Sequence, residues 1–187
     1  MDTRVLLVSH AATAAMRQGR FPADDPLDAR GIAQARAWRE RMPSLGAAIA
    51  LSSPAACARE TAEALGFAVQ VTPELADMNY GEWCGRRLAE LAEDVPHELA
   101  AWSRNPDAPP QGGESFAQVL VRVGGWLDAL DETASVVAIT HAPVIRAALL
   151  HALNAPAVSF AHIEIAPLSV VEIRRSARGW AWWPAQS

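Results

Sequence analysis

Short apolar runs alternate along the chain with longer segments whose apolar residues recur at helical spacing. Arg4 to Val8 is a brief β-branched run of the buried-strand kind. A polar loop rich in Arg and Pro follows it through Pro26. Asp28 is placed to cap a helix running to about Met42, with Ile32, Ala35, Trp38 and Met42 near helical spacing. Ala47 to Leu51 reads as a second strand. Ser53-Pro54 then opens a helix with a capping residue and a first-turn proline, and Gly66 ends it. Phe67 to Val71 is a third strand, followed by an irregular stretch from Pro73 to Gly85.

Helical segments are expected around 86–104 and from Ser115 to Leu130, separated by a Pro/Gly-rich loop from Asn105 to Gly113. Ser135 to Ile139 is the clearest strand, and it stops at Thr140-His141. A helix follows from Pro143 to Leu153. The tail from Phe160 to Trp183 alternates apolar and polar residues, as antiparallel edge strands do. Strands alternating with helices predict an α/β fold, a three-layer αβα sandwich around a mostly parallel central sheet. No repeat or long linker divides the sequence, so residues 1–187 read as one domain.

Composition narrows the chemistry. The net charge of −5 disfavours nucleic acid and anionic membrane as partners, since both reward a basic face. No apolar run approaches the roughly 20 residues of a membrane span. With only Cys57 and Cys84, and no C-x-x-C pair, neither a disulfide framework nor a thiolate metal motif is expected, and a cytoplasmic setting is the default. All 16 basic residues are Arg. The absence of Lys excludes a Walker-type phosphate loop, a Schiff-base enzyme and a lysine base.

In such a sheet the ligand cleft lies beyond the carboxyl ends of the strands. His10 and His141 each stand at such an end, and the helix from Ser53-Pro54 aims its amides at the same edge, which suits an anion. A lone histidine there is commonly structural; two of them beside a helix start point to a site.

Six blocks of sequence carry a resemblance. They are Val8-Ser9-His10-Ala11-Ala12-Thr13, the segment Pro26 to Ala35, the segment Ser52 to Ala62, the segment Leu75 to Gly85, Gly112-Gly113-Glu114-Ser115, and Thr140 to Arg146. In these, and in their order, the chain resembles the histidine phosphatase (phosphoglycerate mutase-like) superfamily. The resemblance implies a phosphatase acting on a small phosphorylated metabolite, without cofactor or metal. It makes His10 the nucleophile that forms a phosphohistidine, Asp77 the general acid and His141 a donor to the phosphoryl oxygens. It includes phosphatases of the cobalamin pathway, whose length this chain matches.

The pattern also breaks. Ser9 and Cys57 stand where the resemblance calls for the two phosphate-binding arginines. Two lost charge-assisted hydrogen bonds amount to about 3–6 kcal/mol of phosphate affinity. Arg59 would face about 200° around its helix from Cys57, so Arg17 and Arg20, on the loop after His10, are the expected replacements. The substrate-binding set then reads Ser9, Thr13, Arg17, Arg20 and Cys57. A mutase is disfavoured, because a doubly phosphorylated intermediate calls for more positive charge. The competing expectation is a catalytically inactive pseudoenzyme of the same fold that binds a ligand or a protein partner.

Cys57 fails the thiolate-phosphatase spacing, which would put Arg at the place of Glu63. A metal held by His10, His141 and Asp77 is conceivable, but nothing in the spacing demands it. Trp180, Trp182 and Trp183 are expected to cover a sheet edge or form a homodimer contact.

Overall fold

In the computed structural model, which describes residues 3–42 and 48–184, β1 (Thr3–Ser9) lies at the heart of a six-stranded sheet. The others are β2 (Ile49–Ser52), β3 (Gln70–Val71), β4 (Ser135–Thr140), β5 (Val170–Ser176) and β6 (Gly179–Trp183). Their order is β3-β2-β4-β1-β5-β6. The first four are mutually parallel, and β5 and β6 add antiparallel to the free side of β1. This is the expected mostly parallel α/β sheet. The alternating tail does supply two antiparallel strands, but only from Val170 onward, because 157–162 winds into a 3-10 turn.

Both faces of the sheet are covered, which is why its central strands lack polar alternation. Val5 and Leu7 face a large core that includes Val119, Val123, Ile145 and Leu149. Leu6 and Val8 face a second cluster with Ala58, Ala62 and Leu65. Helices α2 (Ala29–Trp38) and α3 (Ala56–Leu65) thus cover one face. Helices α6 (Phe116–Asp128) and α7 (Ala142–Ala152) cover the other. The short α1 (Ala14–Arg17), α4 (Leu88–Asp94) and α5 (Pro96–Trp102) lie in the connections.

Several helix boundaries follow from capping. Asp28 caps α2 by accepting from the Gly31 amide at 2.8 Å. Ser115 and Gln118 form a reciprocal capping box at the start of α6. Gly124 sits inside α6 because a Cβ there would come within 2.7 Å of the His151 ring on α7. Its place is set by close helix packing, not by a helix break.

Other boundaries need correction. α2 stops at Trp38 and passes into a 3-10 turn at 39–41, short of Met42. Of the expected third strand only Gln70–Val71 pairs, and Phe67 and Val69 instead pack on the second cluster. Ala47 of the second expected strand lies outside the described residues. α3 begins at Ala56, so Ser53-Pro54 is the strand-to-helix connection and not the helix cap. No described helix is long and apolar enough to cross a membrane. Trp182 and Trp183 remain exposed on β6, and Arg174 stacks over the Trp183 ring at 4.4 Å.

Candidate active site

Three neighbouring strands bring the site together. Register pairs Ser9 of β1 with Thr140 of β4, and Ser52 of β2 with Ile139. The next residue on each strand is therefore His10, His141 and Ser53, side by side at one sheet edge. Backbone bonds extend the ladder by one step there: the His10 amide donates to Thr140 O at 2.9 Å, and the Ser53 amide donates to Ile139 O at 2.9 Å. The two imidazoles meet edge to face, with centroids 4.9 Å apart.

Both rings are held neutral. The His10 pKa is lowered to about 4, chiefly by burial and then by neighbouring His141. His10 Nδ1 lies 2.8 Å from the Ala11 carbonyl, to which it donates, so Nε2 keeps its lone pair. His141 is lowered to about 3 by burial and by the positive field of Arg122. Its Nε2 shares a hydrogen bond with the Ser53 hydroxyl at 2.7 Å. Its Nδ1 is buried, without a hydrogen-bond partner among the described residues, 3.3 Å from a carboxylate oxygen of Asp77.

Asp77 enters from the loop after β3. Burial raises its carboxyl to about 6, against the opposing effects of His10 and the Met78 amide. A carboxyl tuned to that range can both give and take a proton near neutrality. Its loop is braced from behind. Arg122 of α6 reaches the carbonyls of Glu74 at 2.6 Å and Ala76 at 3.1 Å, and pairs with both oxygens of Glu114. The Gly112–Ser115 motif thereby acquires a physical reason. Gly113 abuts the Asn79 carbonyl, where a Cβ would come within 2.5 Å, Glu114 holds Arg122, and Ser115 caps α6.

A cleft of about 440 Å³ opens over these groups, lined among others by His10, Thr13, Cys57, Asp77 and His141. A second lobe of about 330 Å³ shares His10, Asp77 and His141 and runs past Arg20 toward Tyr80 and Trp102. Four of the anticipated residues, His10, Asp77, His141 and Cys57, are thus brought together. Thr13 also lines the cleft, but its hydroxyl accepts from the Met16 amide as the cap of α1. Burial, and after it the Asp77 carboxylate, pushes the Cys57 thiol up to about 12. It is no ready nucleophile.

The remaining candidates lie apart from the reacting centre. Ser9 is buried beside the cleft, with its backbone bonded to the 168–169 turn. Arg17 is spent on an ion pair with Asp28 and a hydrogen bond to Ala12 O, and it lines neither lobe. Arg20 lines only the second lobe and donates to Gly85 O at 2.8 Å. The helix start expected to receive an anion already holds one, because Asp24 accepts from the Ala56 amide at 2.7 Å. Sequence reasoning missed Ser53, Asp24 and Arg122. Ser53 could have been found, since it ends a strand as the histidines do. The partners of Asp24 and Arg122 lie too far along the chain for spacing to reveal.

The family model described as the histidine phosphatase superfamily (branch 1) matches residues 5–183. A bifunctional protein of Mycobacterium tuberculosis is 32% identical over 184 residues, which cover 91% of this chain and 50% of that protein. The chain therefore spans about half the length of the first curated relatives it matches. An adenosylcobalamin/alpha-ribazole phosphatase of Salmonella typhimurium is 28% identical over 172 residues, covering 87% of this chain and 85% of its own. The crystal structure of the alpha-ribazole phosphatase from Shigella flexneri superposes with a TM-score of 0.86 at 25% identity, over 99% of this chain and 96% of that one.

Proposed function

Because this chain belongs to the histidine phosphatase superfamily, we propose that it is a phosphatase-type hydrolase of a small phosphate monoester, working through a phosphohistidine on His10. The observation that carries the reading is the state of His10. It is a neutral imidazole at a strand end, its Nδ1 tied to the Ala11 carbonyl and its Nε2 left as the nucleophile. The named activities of the phosphatase relatives support the substrate class.

The Nε2 lone pair attacks phosphorus as the bond to the leaving oxygen breaks. Protonated Asp77 gives that oxygen its proton, releasing the alcohol. The carboxylate then takes a proton from water, whose oxygen attacks the phosphohistidine and returns a neutral His10. His141, backed by Ser53, donates to the phosphoryl oxygens.

Turnover on this reading is weak. Among the described residues no arginine lines the main lobe, while Asp24 and Asp25 do. Removing a phosphate-clamping arginine costs on the order of a thousandfold in rate. That same observation favours the second reading, a pseudoenzyme of the same fold that binds a ligand or partner. The discriminating experiment is hydrolysis of an aryl phosphate in a chelating buffer by wild type and His10→Ala. Turnover lost in the variant supports the enzyme. Absence of turnover over a broad range of pH and substrate supports the pseudoenzyme.

A further inference from the structure

Cys57 of α3 sits buried in the cleft, where its backbone carbonyl accepts from the Thr61 hydroxyl at 2.6 Å. Its sulfur is grouped with two imidazoles. One ligand atom from each of His10, Cys57 and His141 lies within 4.8 Å of the others, and all three residues are buried. Bonds of about 2.0–2.3 Å at a tetrahedral ion set ligands roughly 3.3–3.8 Å apart, so side-chain closure of about 1 Å completes such a centre.

Two further observations point the same way. The first is the His141 Nδ1, a buried ring nitrogen that has no hydrogen-bond partner among the described residues and lies 3.3 Å from a carboxylate oxygen of Asp77. A metal ion satisfies such an atom, and the fixed second nitrogen of each ring is the outer support that metal-bound histidines carry. Here that support is Ala11 O for His10 and the Ser53 hydroxyl for His141. The second is charge. Asp24, Asp25 and Asp77 line the main lobe, with no arginine lining it among the described residues, a field that draws a divalent cation inward.

We infer that His10, Cys57 and His141 form a binding site for a borderline-soft divalent transition ion of the zinc class. Two imidazoles and a thiolate select Zn²⁺ or Co²⁺ over Mg²⁺ and Ca²⁺, which require oxygen ligands. On binding, the Cys57 S–H proton goes to solvent and the sulfur pair forms the bond to the metal. The imidazoles give lone pairs and lose no proton, and no electron changes hands. The pair that His10 lends to the ion is the one that would attack phosphorus, so the filled site and a phosphohistidine exclude each other. The inference goes beyond the phosphatase reading and does not depend on it.

Cobalt provides the test, with no turnover needed. Chelator-stripped protein is titrated with Co²⁺ and followed by absorption, then competed with Zn²⁺. The expected result is one ion per chain, intense four-coordinate bands and a thiolate-to-cobalt charge-transfer band. Losing an outer support typically costs 10–100-fold in metal affinity, so losing the sulfur itself in Cys57→Ser costs at least about 100-fold and abolishes the charge-transfer band. His141→Gln, which keeps the thiol, weakens Zn²⁺ binding similarly, and Cys84→Ser changes nothing. Absence of the thiolate band, an unchanged Cys57→Ser affinity, or a band that disappears with Cys84 overturns the inference. None of those outcomes bears on hydrolysis in chelator, so the two readings fail separately.

Discussion

Arg122 grips Glu114 through two hydrogen bonds, Nε to Oε1 at 3.1 Å and Nη2 to Oε2 at 2.9 Å, while its Nη1 holds the carbonyls of Glu74 and Ala76. A single guanidinium therefore ties the start of α6 to the loop that presents Asp77. Arg122→Ala frees that loop, and Arg122 itself lines neither lobe of the cleft. Misplacing a catalytic group by about 1 Å can cost a hundredfold, so kcat is expected to fall on the order of 100-fold with KM changed only a few-fold. Steady-state kinetics on an aryl phosphate reads the split. A KM effect that matches or exceeds the kcat effect rejects the positioning role.

The pH profile follows from His10 and Asp77. Attack needs His10 neutral, hence a pH above about 4, and leaving-group protonation needs Asp77 protonated, hence a pH below about 6. Measured in chelator, where no ion can occupy His10, kcat/KM is expected to peak between those values and to fall on either side. An Asp77→Asn variant loses the alkaline limb and most of the rate. A profile still rising above pH 7 contradicts the assignment of Asp77 as acid.

Position 57 faces the cleft from α3 without a charge, so placing an arginine there tests whether positive charge limits the reaction. Cys57→Arg is expected to raise kcat/KM on the order of tenfold or more, since a charge-assisted hydrogen bond to phosphate is worth about 1.5–3 kcal/mol. Kinetics with circular dichroism as the folding check decides it. An unchanged or lower kcat/KM in a folded variant shows that positive charge at this position does not limit the reaction.

Far from the cleft, buried Glu172 of β5 is gripped by Arg4 of β1 at 2.9 Å and by Arg174 at 2.6 Å. Burial would raise its carboxyl, but the hydrogen bonds from both arginines outweigh that and hold it below the ordinary range. A depressed carboxyl stabilises the fold above its unfolded pKa of about 4.3, and the contribution is lost as pH falls through the folded value. Glu172→Gln is expected to cost about 2 kcal/mol at neutral pH, with the gap closing below about pH 4. Urea denaturation at both pH values measures it. A gap independent of pH rejects the ion-pair account.

The sheet was legible in sequence because its central strands are buried on both faces, and so appear as unbroken apolar runs such as Val5–Val8 and Val136–Ile139. His10 and His141 were legible for the same reason: each stands beyond such a run with one residue between. What stayed hidden depended on tertiary partners. Arg17 looked like a replacement phosphate ligand, but Asp28, already the cap of α2, also captures its guanidinium. Ser53 looked like a helix cap, yet its amide extends the ladder with β4 and its hydroxyl serves His141. Phe67 looked like strand, but it packs on the second cluster while only Gln70 and Val71 find a partner.

The most direct test of the account is acid-free rapid quench of the chelated protein with a labelled aryl phosphate, followed by identification of the modified residue. The account predicts a base-stable, acid-labile phosphoryl group on His10, absent from His10→Ala and accumulating when Asp77→Asn slows its hydrolysis. Turnover by the wild type with no phosphohistidine, or with the label on another residue, would contradict it.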